Sequence, residues 1–154
     1  MAAVTKRLVF FDNWMDPIGE RMAAENPAID LQRLSFDDAP AVNWPTMERA
    51  HGYQMLPSTE TRIPFVPDAA FLARCPDLLA LSATGAGYDM VDVEACTEAG
   101  ILVVNQSGSN SESVAQHVLG MMLALAKQIV QTDRAIRRAS RDWTRWDYKG
   151  QELT

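Results

Sequence analysis

Cysteine and histidine are scarce in this chain, and their scarcity excludes whole classes of site. The 154 residues include two of each, and the cysteines are Cys75 and Cys96. Two cysteines build no disulfide framework, and no spacing typical of a metal site joins them to the histidines. We therefore expect two buried thiols in a reducing compartment, and no bound metal.

A basic charge balance and a long hydrophobic run are also missing. The chain has 14 Lys and Arg residues against 20 Asp and Glu, a formal net charge of −6. Binding nucleic acid requires a basic surface, so nucleic acid is not an expected partner. The nonpolar run at 118–126 is far shorter than the ~20 residues that span a membrane, and the apolar stretch at 8–11 is too short for a signal peptide. We expect a soluble cytoplasmic protein without a membrane partner.

The first two-thirds of the chain alternates strand and helix patterns. Five apolar segments rich in strand formers are candidate strands: 7–11, 29–34, 52–56, 78–82 and 101–105. The segment at 78–82 is apolar up to its last residue, as in parallel strands that are buried on both faces. Helical patterns and short connections separate the segments. The sequence therefore predicts an α/β fold, a flavodoxin-like doubly wound parallel sheet of five strands.

Three helix boundaries carry recognisable signals. Pro17 suits the first turn of a helix, where its missing N–H has no cost. Asp92 suits the N-cap of a later helix that stops at Gly100. The S-x-x-E sequence that begins at Ser109 has the form of a capping box, with Ser109 or Asn110 as the cap. This box is expected to start a long helix.

The end of the chain carries more apolar surface than one sheet can cover. The stretch 118–126 is nonpolar on every side of a helix, and such a helix has to be buried all round. Beyond it, an extended arm carries Trp143, Trp146 and Tyr148 with no predicted element to bury them. Apolar surface of this kind usually marks an interface. We expect a long buried helix and an arm that belong to a larger assembly.

A glycine-rich loop follows the predicted fourth strand, in the stretch SATGAGYDMVD at 82–92. Gly85 and Gly87 match the first two glycines of a dinucleotide-binding fingerprint, but Met90 holds the third position and blocks close helix packing. Glycines let backbone amides approach an anion, and Gly87 is expected to adopt a positive φ. Asp89 suits a cap for the following turn. From the residues alone, the loop is either an anion-binding nest or a tight turn without a ligand.

Three motifs occur together in the second half of the chain. They are G-x-G-x-D-x-x-D from Gly85, V-x-N from Val103 and S-V-A-x-H from Ser113. With them, the stretch 78–127 closely resembles the substrate-binding domain of the D-isomer-specific 2-hydroxyacid dehydrogenases, and the similarity extends from residue 6 to the end. The resemblance implies a protein that acts with NAD or NADP on the CH–OH group of a D-2-hydroxy acid.

The resemblance assigns roles to two parts of the chain. The family holds the substrate carboxylate in the loop that here contains Gly85, on the amides of Ala86 and Gly87. At the start of the long helix, the residue that matches Ser113 touches the cofactor. Asn110 matches a substrate contact of formate-dehydrogenase relatives, and simple capping of the helix is an equal alternative for this residue.

The resemblance also implies that the reaction needs residues beyond these. The family's catalytic histidine, its carboxylate partner and the arginine that grips the 2-oxo acid lie in an NAD-binding domain that follows a segment like 149–154. We expect no catalytic residue in this chain, no cofactor bound to it alone, and no NADH-dependent reduction of 2-oxo acids by it. His117, on an apolar helix, is expected to be a hydrogen-bonded core residue rather than a general base.

The end of the third predicted strand differs from the pattern of some family members. Leu56, Pro57 and Ser58 stand where phosphate-handling relatives carry arginines, which argues against a phosphorylated substrate. We expect 1–108 to be the substrate-binding domain. The helix and arm at 109–154 are expected to form the interdomain contact and a homodimer interface.

Three functions are compatible with these sequence patterns. The first is the substrate-binding part of an NAD-dependent 2-hydroxyacid dehydrogenase, cut short at Thr154. The second is a stand-alone flavodoxin-like module that binds a carboxylate or regulates, and continuation of the reading frame past Thr154 would distinguish the two. The third is a receiver-type signalling domain, which needs an acidic cluster after the first strand and an aspartate after the third. Asp12 stands alone there, and Met55 and Leu56 end the third strand, which argues against a receiver.

Overall fold

The structure is a computed structural model and describes residues 5–56, 61–138 and 143–153. The chain divides into two compact units, Met1–Ser109 and Asn110–Thr154, and each is described by itself. The expectation about Pro57 and Ser58 lies outside the described residues.

The first unit is a parallel α/β sandwich. Its elements are β1 (Lys6–Phe11), α1 (Pro17–Glu25), β2 (Ile29–Leu34), α2 (Pro40–Met47), β3 (Gly52–Met55), α3 (Ala69–Arg74), β4 (Ala80–Ala83), α4 (Val93–Glu98) and β5 (Leu102–Val104). The strands pair in the order β2-β1-β3-β4-β5, and every pair is parallel. This is the flavodoxin-like order, so the predicted fold class is confirmed.

The core lies where the apolar strand centres align across the sheet. Val9 lies beside Tyr53, and Tyr53 lies beside Leu81 on the next strand. All three side chains are buried. The rings of Trp44 and Phe65 pack with their centroids 4.8 Å apart on one layer of this core. Burial of these three side chains fixes the register of β1, β3 and β4. Because the strands are parallel, their carboxyl ends lie at the same edge of the sheet.

Aspartate side chains begin three helices of the first unit. Asp16 accepts a hydrogen bond from the Ile18 amide beside Pro17 at the first helical position, and Asp68 accepts from the Phe71 amide. Asp92 accepts from the Ala95 amide at 2.9 Å, which confirms it as the N-cap of α4. Each cap satisfies an amide that the first turn leaves without a partner.

The predicted capping box does not form, although Asn110, one of its two candidate caps, does precede the long helix. The Ser109 hydroxyl donates to the Gln106 carbonyl at 2.8 Å, and among the described residues no amide of the long helix donates to it. Asn110 occupies the N-cap position, and its side chain makes no capping hydrogen bond. The S-x-x-E pattern therefore marks a turn, in which the Ser109 hydroxyl bonds a backbone group that precedes the helix rather than one inside it.

The second unit consists of α5 (Ser111–Ala126), α6 (Ile129–Arg137) and the arm at 143–153. The two helices meet at a 60° bend. The arm is tied to the end of α5, because the Gln151 amide donates to the Ala126 carbonyl at 2.7 Å. Gly150 is needed at this approach, since a Cβ there would lie 2.8 Å from the same carbonyl oxygen.

No residue of α5 is buried in the described part of the chain. Its nonpolar side chains include Leu119, 53% exposed, and Leu125, 72% exposed. The rings of Trp143 and Tyr148 contact each other edge-to-face with centroids 6.1 Å apart, and Trp146 is exposed. The apolar surface that the sequence predicts to need a further layer is therefore uncovered in this chain.

Among the described residues, no single helix is long and apolar enough to cross a membrane. The bent pair of α5 and α6 meets the length and composition criteria only when the two are taken together.

Candidate functional site

The loop Thr84–Tyr88 leaves the carboxyl end of β4, at the edge of the sheet where ligands bind in open α/β folds. Gly85 has a φ of +86°, a conformation that side chains with a Cβ rarely adopt. Its amide donates to the Gln106 side chain at 3.0 Å, and its carbonyl accepts from the Gln106 amide at 2.8 Å. The loop is therefore held from both sides by the segment after β5.

The peptide group between Ala86 and Gly87 has a defined orientation. The Asn105 side-chain amide donates to the Ala86 carbonyl at 2.9 Å. In a trans peptide the C=O and N–H point in opposite directions, so the Gly87 N–H is turned away from Asn105. Within the described residues no hydrogen bond uses the N–H of Ala86 or Gly87, and both residues are exposed. Two neighbouring donors are thus available to an acceptor at this edge.

Gly87 differs from the sequence expectation. Its φ lies outside the left-handed region, so the predicted positive φ at Gly87 is wrong and the positive φ belongs to Gly85. A Cβ built on Gly87 would meet only the Asp89 carboxylate, at an ordinary 3.8 Å. The fold therefore tolerates a Cβ at Gly87. Asp89 makes no capping hydrogen bond among the described residues, where Asp92 has that role.

A cavity of about 450 Å³ opens at the carboxyl end of β1 and β3. The strand order reverses between these two parallel strands, because β2 is added on one side of β1 and β3 to β5 on the other, and this makes their carboxyl ends the expected ligand crevice. Residues from β1, β3 and the segments after them line it: Phe11, Asp12, Asn13, Trp14, Met15, Phe36, Tyr53, Gln54, Met55, Leu56, Thr61 and Arg62. Gln54 connects this cavity to the glycine loop, because its side-chain amide donates to the Thr84 hydroxyl.

The sequence patterns did not predict that these residues line a cavity. Asp12 has a φ of +50°, unusual for a residue with a side chain. Its carboxylate accepts from the Ser35 hydroxyl at 2.8 Å and from the Phe36 amide at 3.3 Å. These bonds fix the loop after β1 to the loop after β2. Asp12 therefore has a structural role, which further argues against the acidic cluster that a receiver-type domain needs after its first strand.

Asn110 and Ser113 lie in the second unit. Asn110 precedes α5, and its side chain is left without a capping bond. Ser113 lines a shallow depression on α5 together with Gln116, His117 and Gly120. His117 is exposed in this unit, so the expectation of a hydrogen-bonded core histidine is wrong.

Both cysteines are buried in the first unit, as expected. Cys75 is 1% exposed and Cys96 is fully buried. Burial raises the pKa of the Cys75 thiol to about 12, and it raises the pKa of the Cys96 thiol as well. Over the described ranges, no three His, Cys, Asp or Glu side chains come close enough to hold a metal ion.

The model of the D-isomer specific 2-hydroxyacid dehydrogenase family, catalytic domain, matches residues 24–144. The chain belongs to this family. The match includes both the glycine loop of the first unit and the beginning of the second, so the two predicted parts of the site fall inside the family's region of similarity.

Named relatives agree with this assignment. The chain is similar to D-3-phosphoglycerate dehydrogenase of Mycobacterium leprae, with 41% identity over 86 residues, 56% of this chain and 16% of the relative. It is similar to glyoxylate reductase of Thermofilum pendens, with 32% identity over 88 residues, 56% of this chain and 26% of the relative. Neither comparison spans most of the relative's length.

A solved structure shows the same fold. D-lactate dehydrogenase of Aquifex aeolicus, complexed with NAD and lactic acid, aligns with a TM-score of 0.71 at 19% identity. The alignment covers 95% of this chain and 41% of that one. The chain therefore spans less than half the length of this dehydrogenase.

Proposed function

We propose that the amides of Ala86 and Gly87 bind the carboxylate of a 2-oxo or 2-hydroxy acid. The observation that supports this is the fixed orientation of the two peptide groups that carry these amides, since the Gln106 backbone amide donates to the Gly85 carbonyl and the Asn105 side chain donates to the Ala86 carbonyl. Two adjacent N–H groups at the carboxyl edge of a parallel sheet form a small concave donor site for an anion. Gly85 contributes the backbone turn that places them there.

We propose further that the whole protein is an NAD- or NADP-dependent oxidoreductase of D-2-hydroxy acids, to which these residues contribute the substrate-binding part. Membership of the family supports this, as do relatives named as phosphoglycerate dehydrogenase and glyoxylate reductase. Among the described residues of the first unit, the one histidine, His51, accepts a hydrogen bond from the Arg7 amide at the start of β1. We assign the acid and base of the reaction, as the family resemblance implies, to residues outside this chain.

The cofactor contact proposed here is Ser113. Its hydroxyl makes no hydrogen bond within the described part of the chain and lies in the depression on α5, so it is free to bind a cofactor group. The N-terminal amides of α5 also lack a side-chain acceptor from Asn110, which suits them to a polar or anionic group. When bound, the nicotinamide would supply or accept the hydride. We propose the cytoplasm as the location and a homodimer as the assembly.

The carboxylate site is tested by titrating the chain with pyruvate and following backbone amide resonances by NMR. We expect the largest shifts at the Ala86 and Gly87 amides. Gly87→Val should abolish these shifts, because a branched side chain covers the amide, while the structure leaves room for it in the fold. Gly87→Ala is the matched control and should weaken binding less.

Unchanged binding by the Gly87→Val protein would contradict the assignment. The same conclusion would follow if the pyruvate-induced shifts clustered elsewhere in the first unit and left the loop after β4 unaffected.

A further inference from the structure

Gly85 is the first residue of the glycine loop to leave the hydrogen-bonding ladder of the sheet. The Thr84 amide still donates to the Met55 carbonyl of β3 at 2.9 Å, and the Gln54 side chain donates to the Thr84 hydroxyl. Among the described residues, no strand carbonyl accepts from the Gly85 amide. Glycine adopts either sign of φ readily, so the peptide group between Thr84 and Gly85 needs a partner outside the sheet to keep one orientation.

The side chain of Gln106 is the partner of this peptide group. Its Oε1 accepts from the Gly85 amide at 3.0 Å, and the Gln106 backbone amide donates to the Gly85 carbonyl at 2.8 Å. At the start of the β4–β5 ladder the Leu102 amide donates to the Leu79 carbonyl, and the same spacing would direct the Gln106 amide to Ala83. The loop therefore leaves the regular ladder before Gly85, where a side-chain oxygen replaces a strand carbonyl as the acceptor.

Three successive peptide groups of the loop are held in this way. Gln106 bonds the two groups on either side of Gly85, and the Asn105 side chain bonds the next by donating to the Ala86 carbonyl. The orientation of the first group sets the φ of Gly85, which is +86°. That angle determines where the second group points, and the second group carries the Ala86 amide. The Gln106 side chain thus acts on the donors of the loop through Gly85.

We propose that Gln106 is a positioning residue of the carboxylate site, whose side chain keeps the Ala86 and Gly87 amides turned to the ligand without touching it. This inference rests on the proposed binding of a carboxylate by these two amides. Donors that are already oriented bind a ligand more tightly, because less conformational freedom is lost on binding. A glutamine supplies the acceptor without the negative charge that a glutamate would place beside an anionic ligand.

The experiment compares Gln106→Met and Gln106→Glu with the unaltered chain, by NMR of the Gly85 amide and by titration with pyruvate. Methionine is similar in length but lacks the carboxamide oxygen. Gln106→Met should therefore speed hydrogen exchange of the Gly85 amide and weaken pyruvate binding about two- to tenfold, the range for losing one neutral hydrogen bond.

Gln106→Glu separates the position of the loop from the charge beside it. Glutamate keeps an acceptor of the same length, so the Gly85 amide should exchange as slowly as in the unaltered chain. Pyruvate should bind this variant more weakly at low salt and recover affinity as salt is added, because ions screen the repulsion between the two carboxylates.

The matched control is Gln32→Met, which removes a glutamine side chain on β2 that donates to Asp30. It should leave both Gly85 exchange and pyruvate binding unchanged. In Gln106→Met, an unchanged Gly85 amide, or faster exchange without weaker binding, would overturn the positioning role and leave the carboxylate loop intact. Failure of pyruvate to bind the unaltered chain would overturn the proposed function together with this inference.

Discussion

Two glycines of one motif have different reasons to be glycine. Gly85 has a φ of +86°, and an L-residue in left-handed backbone costs about 1–2 kcal/mol. Gly87 has a φ outside the left-handed region, and a Cβ built on it would meet only the Asp89 carboxylate, so the fold itself does not require a glycine there. A G-x-G pattern does not distinguish these roles, because both residues carry the same letter and only the backbone angles differ.

The difference at this scale is measurable as stability. Gly85→Ala should lower the free energy of unfolding by about 1–2 kcal/mol, because alanine disfavours positive φ. Gly87→Ala should change it by only a few tenths of a kcal/mol, as expected for a residue on an exposed loop. Urea denaturation of both proteins provides the comparison. Equal losses in the two variants would show that the φ difference has no energetic consequence.

The sequence located the glycine loop but not the residues that orient it. Asn105 belongs to a motif that carries the family resemblance, and its role depends on β5 lying beside β4 so that the two loops meet. Arg62 and Phe36 are brought together only by the folded sheet. Contacts of this kind between distant segments leave no periodic pattern, so they could not be predicted from spacing.

Secondary structure was more predictable, because each strand has its own apolar run. The five predicted strands match the five observed ones within one or two residues at each end. Their order followed from the regular alternation with helices and from the short connections. The capping box was the exception, since a pattern of two residues cannot show that the Ser109 hydroxyl is bound to Gln106.

Helix capping provides a prediction at the level of the element. Asp92→Ala should lower the free energy of unfolding by about 1 kcal/mol, because α4 loses the acceptor for the Ala95 amide. Asn110→Ala should have little effect on the helicity of α5, because its side chain makes no capping bond. Circular dichroism during urea titration measures both.

The two variants also address the alternatives for Asn110. A loss of α5 helicity in Asn110→Ala comparable to the loss of stability in Asp92→Ala would favour simple capping. Unchanged helicity with weaker binding of a 2-oxo acid would favour a substrate contact.

The described part of the chain exposes the apolar helix α5, and we propose that a second copy covers it. Burying apolar surface gains about 25 cal/mol per Å², so several hundred Å² left in water forgoes several kcal/mol. We expect a homodimer through 109–154, with two-fold symmetry, in sedimentation equilibrium at micromolar concentration. Leu125→Glu should dissociate it, since Leu125 is 72% exposed on α5.

Leu102→Glu is the matched control, because Leu102 is 62% exposed on β5 in the first unit. It should leave the dimer intact. A monomer for the unaltered chain, or a dimer that survives deletion of 109–154, would refute this interface.

The two buried cysteines allow local unfolding of the first unit to be measured by thiol labelling. Each is enclosed by the sheet and its helices, and the raised pKa keeps each as an unreactive thiol at neutral pH. An alkylating reagent can reach them only in conformations where that core has separated, since the thiolate is the reactive form. The second unit contains no cysteine. Labelling rates therefore measure the opening of the first unit and give no information on the opening of the second.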